Sequence, residues 1–388
     1  RKILQQFNFC SSHFTLKASY SLTADRGPAD VTNSQAIITS YSPYRPFTSI
    51  QESGLYIKEL ENSELTYEKK HELNIGADMG FLNNRINLAV DWYKRNNYDL
   101  IGIVNTQGAG GQILKYANIA SMKSHGIEFT LSTKNIKTKD FNWNTDFIFS
   151  NAKNEVTDLK QNANVMELIS GNGFAKQGYP VRGLFSIPFV GLDKDGIPVI
   201  INEKGEATST DINFQERQNT GFLKYEGPTD PTITGSLGNM FSYKGFRLNL
   251  FITYSFGNVI RLNPVFKAYY SDLTAMTREF KNRWTLPGDE AKTNVPAILS
   301  KRMYDSNEDL KYAYNAYNYS TERIAKGDFI RLKEISLAYD FPKAWINPLK
   351  LTDLSLKVQA TNLFLIYADD KLNGQDPEFF NAGGVASP

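Results

Sequence analysis

Long segments of the chain alternate apolar and polar residues, which is the pattern of β-strands whose two faces meet different surroundings. The segment Phe246–Phe256, with the sequence FRLNLFITYSF, shows it most clearly. Every second residue from Phe246 onwards is apolar, whereas the residues between them are mostly polar and include Arg247 and Asn249. The pattern predicts a long strand with one wholly apolar face and one mostly polar face.

The same period of two residues recurs often enough to predict nine strands. They are expected near residues 14–23, 73–81, 86–93, 127–131, 141–150, 232–243, 246–256, 329–341 and 354–361. In the eighth segment Ile330 and Leu332 are out of phase with Ile335 and Leu337, so a bulge near Lys333 is predicted. No long amphipathic helix is predicted, although short helical turns are expected around 268–283.

The connections between these strands alternate between long and short. The long ones are expected at 25–66, 102–117, 156–229 and 258–328, and the short ones at 83–84, 135–140, 244–245 and 342–350. Because antiparallel strands place successive connections at opposite ends, all the long connections fall at one end of the sheet. Outer-membrane barrels are built in this way. A soluble β-sandwich or jelly roll is the alternative, and it rarely shows so strict an alternation.

In the barrel interpretation the apolar face meets lipid and the polar face lines a wet lumen. The sheet must then close on itself, because lipid cannot satisfy free backbone groups. The residues predicted to face the lumen are Arg247, Asn249, Lys357 and Gln359. Complete bacterial barrels of one chain have even strand numbers. We therefore expect further strands before residue 14 and after residue 388, so that residues 1–388 form the C-terminal part of a larger barrel.

Composition excludes several other classes of protein. The 388 residues carry a net charge of +2, which gives no indication of a nucleic-acid partner. The single cysteine excludes a disulfide framework and a cysteine-based zinc site. No apolar run reaches the length of a membrane helix, and the mean hydropathy of −0.40 is compatible with alternating membrane strands.

Candidate chemistry is sparse. Asp193–Gly196 resembles the start of a calcium loop but lacks further acidic ligands, so a turn is expected. The three histidines have no triad partners at a known spacing, and Gly108–Gly111 lacks the lysine of a phosphate loop. We therefore expect no enzyme activity, no cofactor and no metal, with an outer-membrane hydrolase as an unsupported alternative.

The long connections are rich in aromatic residues that could contact a ligand or a partner protein. The candidates are Tyr269, Tyr270, Trp284, Tyr312, Tyr314, Tyr317 and Tyr319. Exposed tyrosine and tryptophan stack on sugars and anchor protein interfaces, but they also pack loops together. These three interpretations remain open. We expect the loops at 25–66, 156–229 and 258–328 to form an extracellular collar.

Several segments, in order along the chain, resemble the C-terminal half of the SusC/RagA family of TonB-dependent outer-membrane transporters. The most specific is GDFIRLKEISLAY, at Gly327–Tyr339. The others are 73–95, Asn118–Glu128, Val190–Pro198, Trp284–Asp289, Gln359–Leu363 and Asn373–Glu378. Asn118–Glu128 departs from the family pattern at Ala120, Ser124 and His125.

The resemblance implies a barrel of about 22 strands with an N-terminal plug. The protein would import oligosaccharides, glycans or peptides across the outer membrane. A SusD-like surface lipoprotein would close the extracellular side, and the TonB complex would supply energy through the plug. Two alternatives remain: a passive or siderophore-type receptor without a lipoprotein lid, and a surface adhesin anchored by a barrel.

Overall fold

The computed structural model describes residues 11–27, 35–44, 53–59, 61–105, 114–265 and 276–378. The strands are β1 (Ser11–Asp25), β2 (Ile37–Tyr41), β3 (Gly54–Glu59), β4 (Glu68–Phe81), β5 (Ile86–Asn105), β6 (Leu114–Lys137), β7 (Phe141–Leu159), β8 (Gly183–Ser186), β9 (Phe189–Leu192), β10 (Pro198–Ile201), β11 (Ala207–Thr208), β12 (Lys224–Pro228), β13 (Ile233–Tyr243), β14 (Phe246–Phe256), β15 (Val259–Arg261), β16 (Ile324–Lys326), β17 (Phe329–Asp340) and β18 (Ser355–Ala368). The α-helices are α1 (Val165–Ile169), α2 (Lys301–Ser306), α3 (Leu310–Asn318) and α4 (Lys343–Ile346). Short 3-10 turns lie at Arg278–Asn282, Asp289–Ala291, Thr321–Arg323, Asn347–Leu349 and Asp370–Leu372.

Nine strands form one antiparallel sheet in the order β1-β4-β5-β6-β7-β13-β14-β17-β18. They are the nine strands that the alternation predicts. Each pairs with the next one along the chain, as expected for a barrel wall built from successive hairpins. Several are longer than predicted: β5 has 20 residues and β6 has 24. Among the described residues no helix is both long and apolar enough to cross a bilayer.

The predicted bulge in β17 is confirmed. Opposite β14, Phe251 pairs with Glu334 and Ile252 pairs with Leu332, so Lys333 has no partner in the ladder. The extra residue brings Ile330 onto the same face as Ile335, although their sequence positions are out of phase. The whole of β17 therefore keeps one apolar face.

The register places the apolar residues of all nine strands on one side of the sheet. For example, Ile252 of β14 lies opposite Leu237 of β13 and Leu332 of β17, and Leu332 lies opposite Phe364 of β18. Much of this side is exposed: Leu16 is 70% exposed and Val358 is 67% exposed. A sandwich would bury this face in a dry core. Within the described residues the apolar rows do not converge on a shared interior.

Aromatic rings lie at both ends of the apolar face. Near the short turns, Phe246 packs on Tyr339 with ring centroids 4.5 Å apart, and Trp143 stacks on Phe241 at 5.6 Å. The Trp143 Nε1–H donates to Asn239 Oδ1 at 3.0 Å. Near the long loops, Tyr254 packs on Phe256 at 5.8 Å. Rings at both borders of an apolar band are typical of membrane barrels.

The long connections after β7 and after β14 fold together into one unit, which we call the loop domain (residues 160–232, 257–265 and 276–328). It contains α1, α2, α3 and the small sheets β8–β12, β9–β10–β11 and β15–β16. Ile187 from the first connection bridges Ser320 from the second. The buried core of the loop domain consists of Ala163, Val165, Leu168, Ile169, Phe185, Ile187, Ile200, Leu223 and Ala316.

We expect the two faces of β14 to respond differently to charge. Leu250→Arg places a charge on the face expected to meet lipid and should destabilise the barrel by about 2–4 kcal/mol if it lies near mid-membrane. Asn249→Arg, the matched control on the polar face, should change stability by less than about 1 kcal/mol. Urea unfolding of the full-length protein in lipid vesicles measures both, and equal losses would contradict the assignment of the faces.

Candidate functional site

The polar face of the sheet carries the four residues predicted to face a lumen. Arg247 of β14 lies opposite Ala338 of β17, which lies opposite Lys357 of β18. In the next polar row, Asn249 lies opposite Ser336, which lies opposite Gln359. The four side chains therefore share one face. Their contact with a passing ligand stays a prediction.

Two of these residues are held by acidic neighbours on β17. Arg247 forms an ion pair with Asp340, with 2.7 Å between Nη2 and Oδ1. The Asn249 amide donates to Glu334 Oε1 at 3.3 Å. The side chains of Arg247 and Asp340 are each about half exposed (51% and 48%). Surface pairs of this kind contribute little to stability, so these groups are available to exchange partners.

A more buried network on the same face lies between β4 and β5. Glu72 is only 8% exposed and forms ion pairs with Lys70 and with Arg95, whose Nε lies 3.1 Å from Oε1. Asn74 also donates to Glu72 Oε1 at 3.1 Å. Our sequence reasoning did not single out this network. The available signal was the row Lys70, Glu72 and Asn74, at every second position of one strand.

The segment after β18 folds back onto β17 through a second set of ion pairs, which we call the carboxylate clamp (Arg331, Lys333, Asp376 and Glu378). Arg331 Nη2 lies 2.5 Å from Asp376 Oδ1, and Arg331 Nε lies 2.9 Å from Glu378 Oε2. Lys333 Nζ lies 2.5 Å from Glu378 Oε1. Arg331 is 4% exposed. Because a buried guanidinium needs its carboxylates, the clamp fixes this segment to the sheet wall.

The loop domain is organised around a buried arginine. Arg261 is 2% exposed and donates to three carbonyl oxygens: Ile169 at 3.1 Å, Phe185 at 2.7 Å and Ser320 at 3.4 Å. Burial lowers the pKa of Arg261 to about 9, which still leaves the guanidinium protonated at neutral pH. A planar fork that reaches three separate segments holds both long connections in one arrangement.

The first helix of the loop domain is fixed by its N-terminal cap. Asn164 Oδ1 accepts from Glu167 N at 2.8 Å, and Glu167 Oε2 accepts from Asn164 N at 2.8 Å. This is a capping box, in which two otherwise free backbone donors are satisfied by side chains. The cap places Leu168 and Ile169 in the buried core.

The structure places the predicted aromatic residues in different environments. Tyr314 and Tyr317 of α3 are each 1% exposed, and burial raises the pKa of Tyr317. Tyr319 packs against the core beneath Arg261, whose Cζ lies 5.5 Å from the ring centroid. Tyr312 is 40% exposed on the other side of the helix. In this structure Tyr314, Tyr317 and Tyr319 therefore pack within the loop domain. A role for these residues in contacting a ligand or a partner stays a prediction.

Trp284 also has a packing role. Its Nε1–H donates to Glu290 Oε2 at 2.9 Å, and its ring lies against Gly196, where an added Cβ would come within 2.5 Å of the indole. The Asp193–Gly196 segment is a turn, because Asp193 Oδ1 accepts from the backbone nitrogens of Asp195 and Ile197 at 2.9 Å. Tyr269 and Tyr270 lie outside the described residues.

Potential metal ligands are scattered in this structure. In the described ranges no group of three or more histidine, cysteine, aspartate or glutamate side chains is arranged to hold a metal ion.

Comparison with known proteins gives relatives of one kind. No protein-family model matches the chain. TonB-dependent receptor P3 of Formosa agariphila is 25% identical over 382 residues, which are 93% of this chain and 35% of that receptor. TonB-dependent receptor SusC of Bacteroides thetaiotaomicron is 26% identical over 341 residues, which are 82% of this chain and 30% of SusC. The chain thus spans about a third of the length of these relatives.

Solved structures agree with the fold. A chain of the RagAB peptide transporter matches with a TM-score of 0.74 at 24% identity, covering 99% of this chain and 40% of that chain. The RagAB peptide importer in its open-open state also gives a TM-score of 0.74.

The exposed apolar face, the polar face behind it and the loops at one end define the wall of an outer-membrane β-barrel. Within that class the chain is similar in sequence to the TonB-dependent receptors P3 and SusC, and it shares the fold of a chain of RagAB.

The carboxylate clamp yields a prediction about local stability. Arg331→Gln leaves two partly buried carboxylates without the guanidinium and should free the segment 369–378 at a cost of about 1–3 kcal/mol. Arg247→Gln, the matched control at an exposed pair, should cost less than about 1 kcal/mol. Hydrogen–deuterium exchange of the full-length protein, followed at peptides covering 369–378, measures the difference. Unchanged protection in Arg331→Gln would show that the clamp does not hold the segment.

Proposed function

We propose that this chain is the C-terminal barrel part of a TonB-dependent importer of large nutrients, either glycans or peptides. The observation that supports the proposal best is the separation of the two sheet faces. One side is exposed and apolar with aromatic borders, and the other side is mostly polar in the strands from β1 to β18. Such a wall suits lipid on one side and an aqueous route on the other.

The loop domain supports import of large ligands rather than free diffusion through an open pore. Its buried core and the central Arg261 make it a folded body at the loop end of the wall. A rigid body at that position can select and retain a ligand before it passes, whereas disordered loops would lose more entropy on binding.

The partners that we propose are those that the resemblance implies. A SusD-like surface lipoprotein would close the loop end, and the TonB complex would act through a plug domain that residues 1–388 are not expected to contain. Because RagAB is described as a peptide transporter, a peptide cargo is one of the two classes we propose for this protein. The third partner is the membrane lipid, which would contact the apolar face of the sheet.

Uptake and co-purification together test this function. Cells that produce the full-length protein should lose uptake of its glycan or peptide cargo when TonB is absent, because import is energised. Affinity purification should yield a surface lipoprotein in equal amount. Uptake without TonB would indicate a passive channel. TonB-dependent uptake without a lipoprotein would indicate a siderophore-type receptor, and absence of any uptake would favour an adhesin.

Two tyrosines of α3 provide a matched pair of variants. Tyr312→Ala removes an exposed ring and should reduce co-purified lipoprotein or bound cargo while leaving stability nearly unchanged. Tyr317→Ala opens a cavity in the loop domain and should cost about 3–5 kcal/mol. Lipoprotein yield per barrel and the rate of limited proteolysis measure the two effects. If Tyr312→Ala lowers neither lipoprotein yield nor bound cargo, the proposed contact role of Tyr312 is wrong.

A further inference from the structure

A small cavity lies where the end of β7 meets the loop domain. Its volume is about 170 Å³. Two of its lining residues, Lys176 and Arg217, are cationic, and Gln161, Gln177 and Gln218 contribute amide-bearing residues. No aspartate or glutamate is among the residues that line it. The residues that line the cavity are thus cationic, neutral polar or apolar.

Among the described residues, the Lys176 ammonium has no carboxylate partner. Its Nζ donates to Thr220 Oγ1 at 3.2 Å and lies 5.0 Å from the ring centroid of Phe185 and 5.8 Å from that of Tyr179. An ammonium has three donors, so these contacts leave donors to spare. Burial lowers the pKa of Lys176, because the charged ammonium loses contact with water. A half-buried cation in this state gains from an anionic partner.

Arg217 also lines the cavity. One of its nitrogens, Nη1, donates to the Asn162 carbonyl oxygen at 2.9 Å and lies 3.5 Å from Glu167 Oε2. That carboxylate oxygen also accepts from Asn164 N in the cap of α1. A guanidinium carries five N–H donors, so Arg217 retains donors beyond those directed at Asn162 and Glu167.

We propose that this cavity, which we call the Lys176 pocket, binds an oxyanion group, a carboxylate or a sulfate ester, carried by the imported ligand. Lys176 would supply a point charge, and Arg217 would supply a planar set of donors that suits the oxygens of such groups. Amide and hydroxyl groups beside them bind the remaining oxygens. The volume of about 170 Å³ is sufficient for one such group. The inference rests on the proposed function only in taking the ligand to be cargo.

Lysine reactivity in the purified full-length protein tests the Lys176 pocket without any need for transport. Acetylation of Lys176 at mildly alkaline pH is followed by mass spectrometry, and Lys224, an exposed lysine of β12, is the internal reference. Glucuronate and glucose 6-sulfate should each slow acetylation of Lys176 by about threefold at twice their Kd and leave Lys224 unchanged. Glucose, the neutral control, should not protect Lys176.

The variant Arg217→Gln keeps the labelled lysine and removes the second cation. Protection by glucuronate should weaken in this variant, while the labelling rate of Lys224 stays the same and reports an intact fold. The proposal is overturned if neither glucuronate nor glucose 6-sulfate slows acetylation of Lys176. It is also overturned if glucose slows this acetylation as much as the two anions do. Protection by inorganic sulfate alone overturns the assignment to cargo, since the pocket would then hold only a free ion.

The result is separable from the proposed function. Protection of Lys176 in a protein that does not import would support the Lys176 pocket and contradict the importer. Import without protection of Lys176 would support the importer and contradict the Lys176 pocket.

Discussion

The structure depends on one constraint: backbone N–H and C=O groups in hydrocarbon have no water to bond, so every strand must pair with its neighbours over its full membrane length. Pairing then fixes which side chains meet lipid, because a slip of one residue would exchange the two faces of a strand. The bulge at Lys333 shows how strictly this holds. One residue is left out of the ladder, and the apolar face of β17 continues unbroken.

Much of this fold could be predicted from the sequence, because alternation with a period of two is a local signal. The nine strands and the bulge follow from it. The connection predicted at 102–117 is shorter than expected, because β5 extends to Asn105 and β6 begins at Leu114. The contacts of the loop domain do not follow from the alternation. Arg261 and the Ile169 carbonyl that it binds are 92 positions apart, and Arg331 and Asp376 are 45 apart. No spacing rule connects such pairs, since they meet only after the strands have been placed.

The aromatic residues show the same limit within a single helix. Tyrosine is a reasonable candidate for a contact surface, but its burial depends on which side of α3 faces the core. Tyr314 and Tyr317 point inwards and Tyr312 points outwards, although all three lie within six positions of one another. Residue type suggested the candidates, whereas packing separates them. Packing also separates the charged groups: Glu72 and Arg331 are buried in networks, while Arg247 stays half exposed in its ion pair with Asp340.

The hydrogen bond from Trp143 to Asn239 has a consequence for the vertical position of the protein. It places an indole N–H and an amide on the apolar side of the wall, close to the short turns. Groups of this kind are stable where hydrocarbon gives way to headgroups. The pair therefore acts as a depth mark. In a bilayer of unusual thickness the lipid around this edge has to thicken or thin, because a vertical shift of the barrel would move both polar groups into the hydrocarbon core.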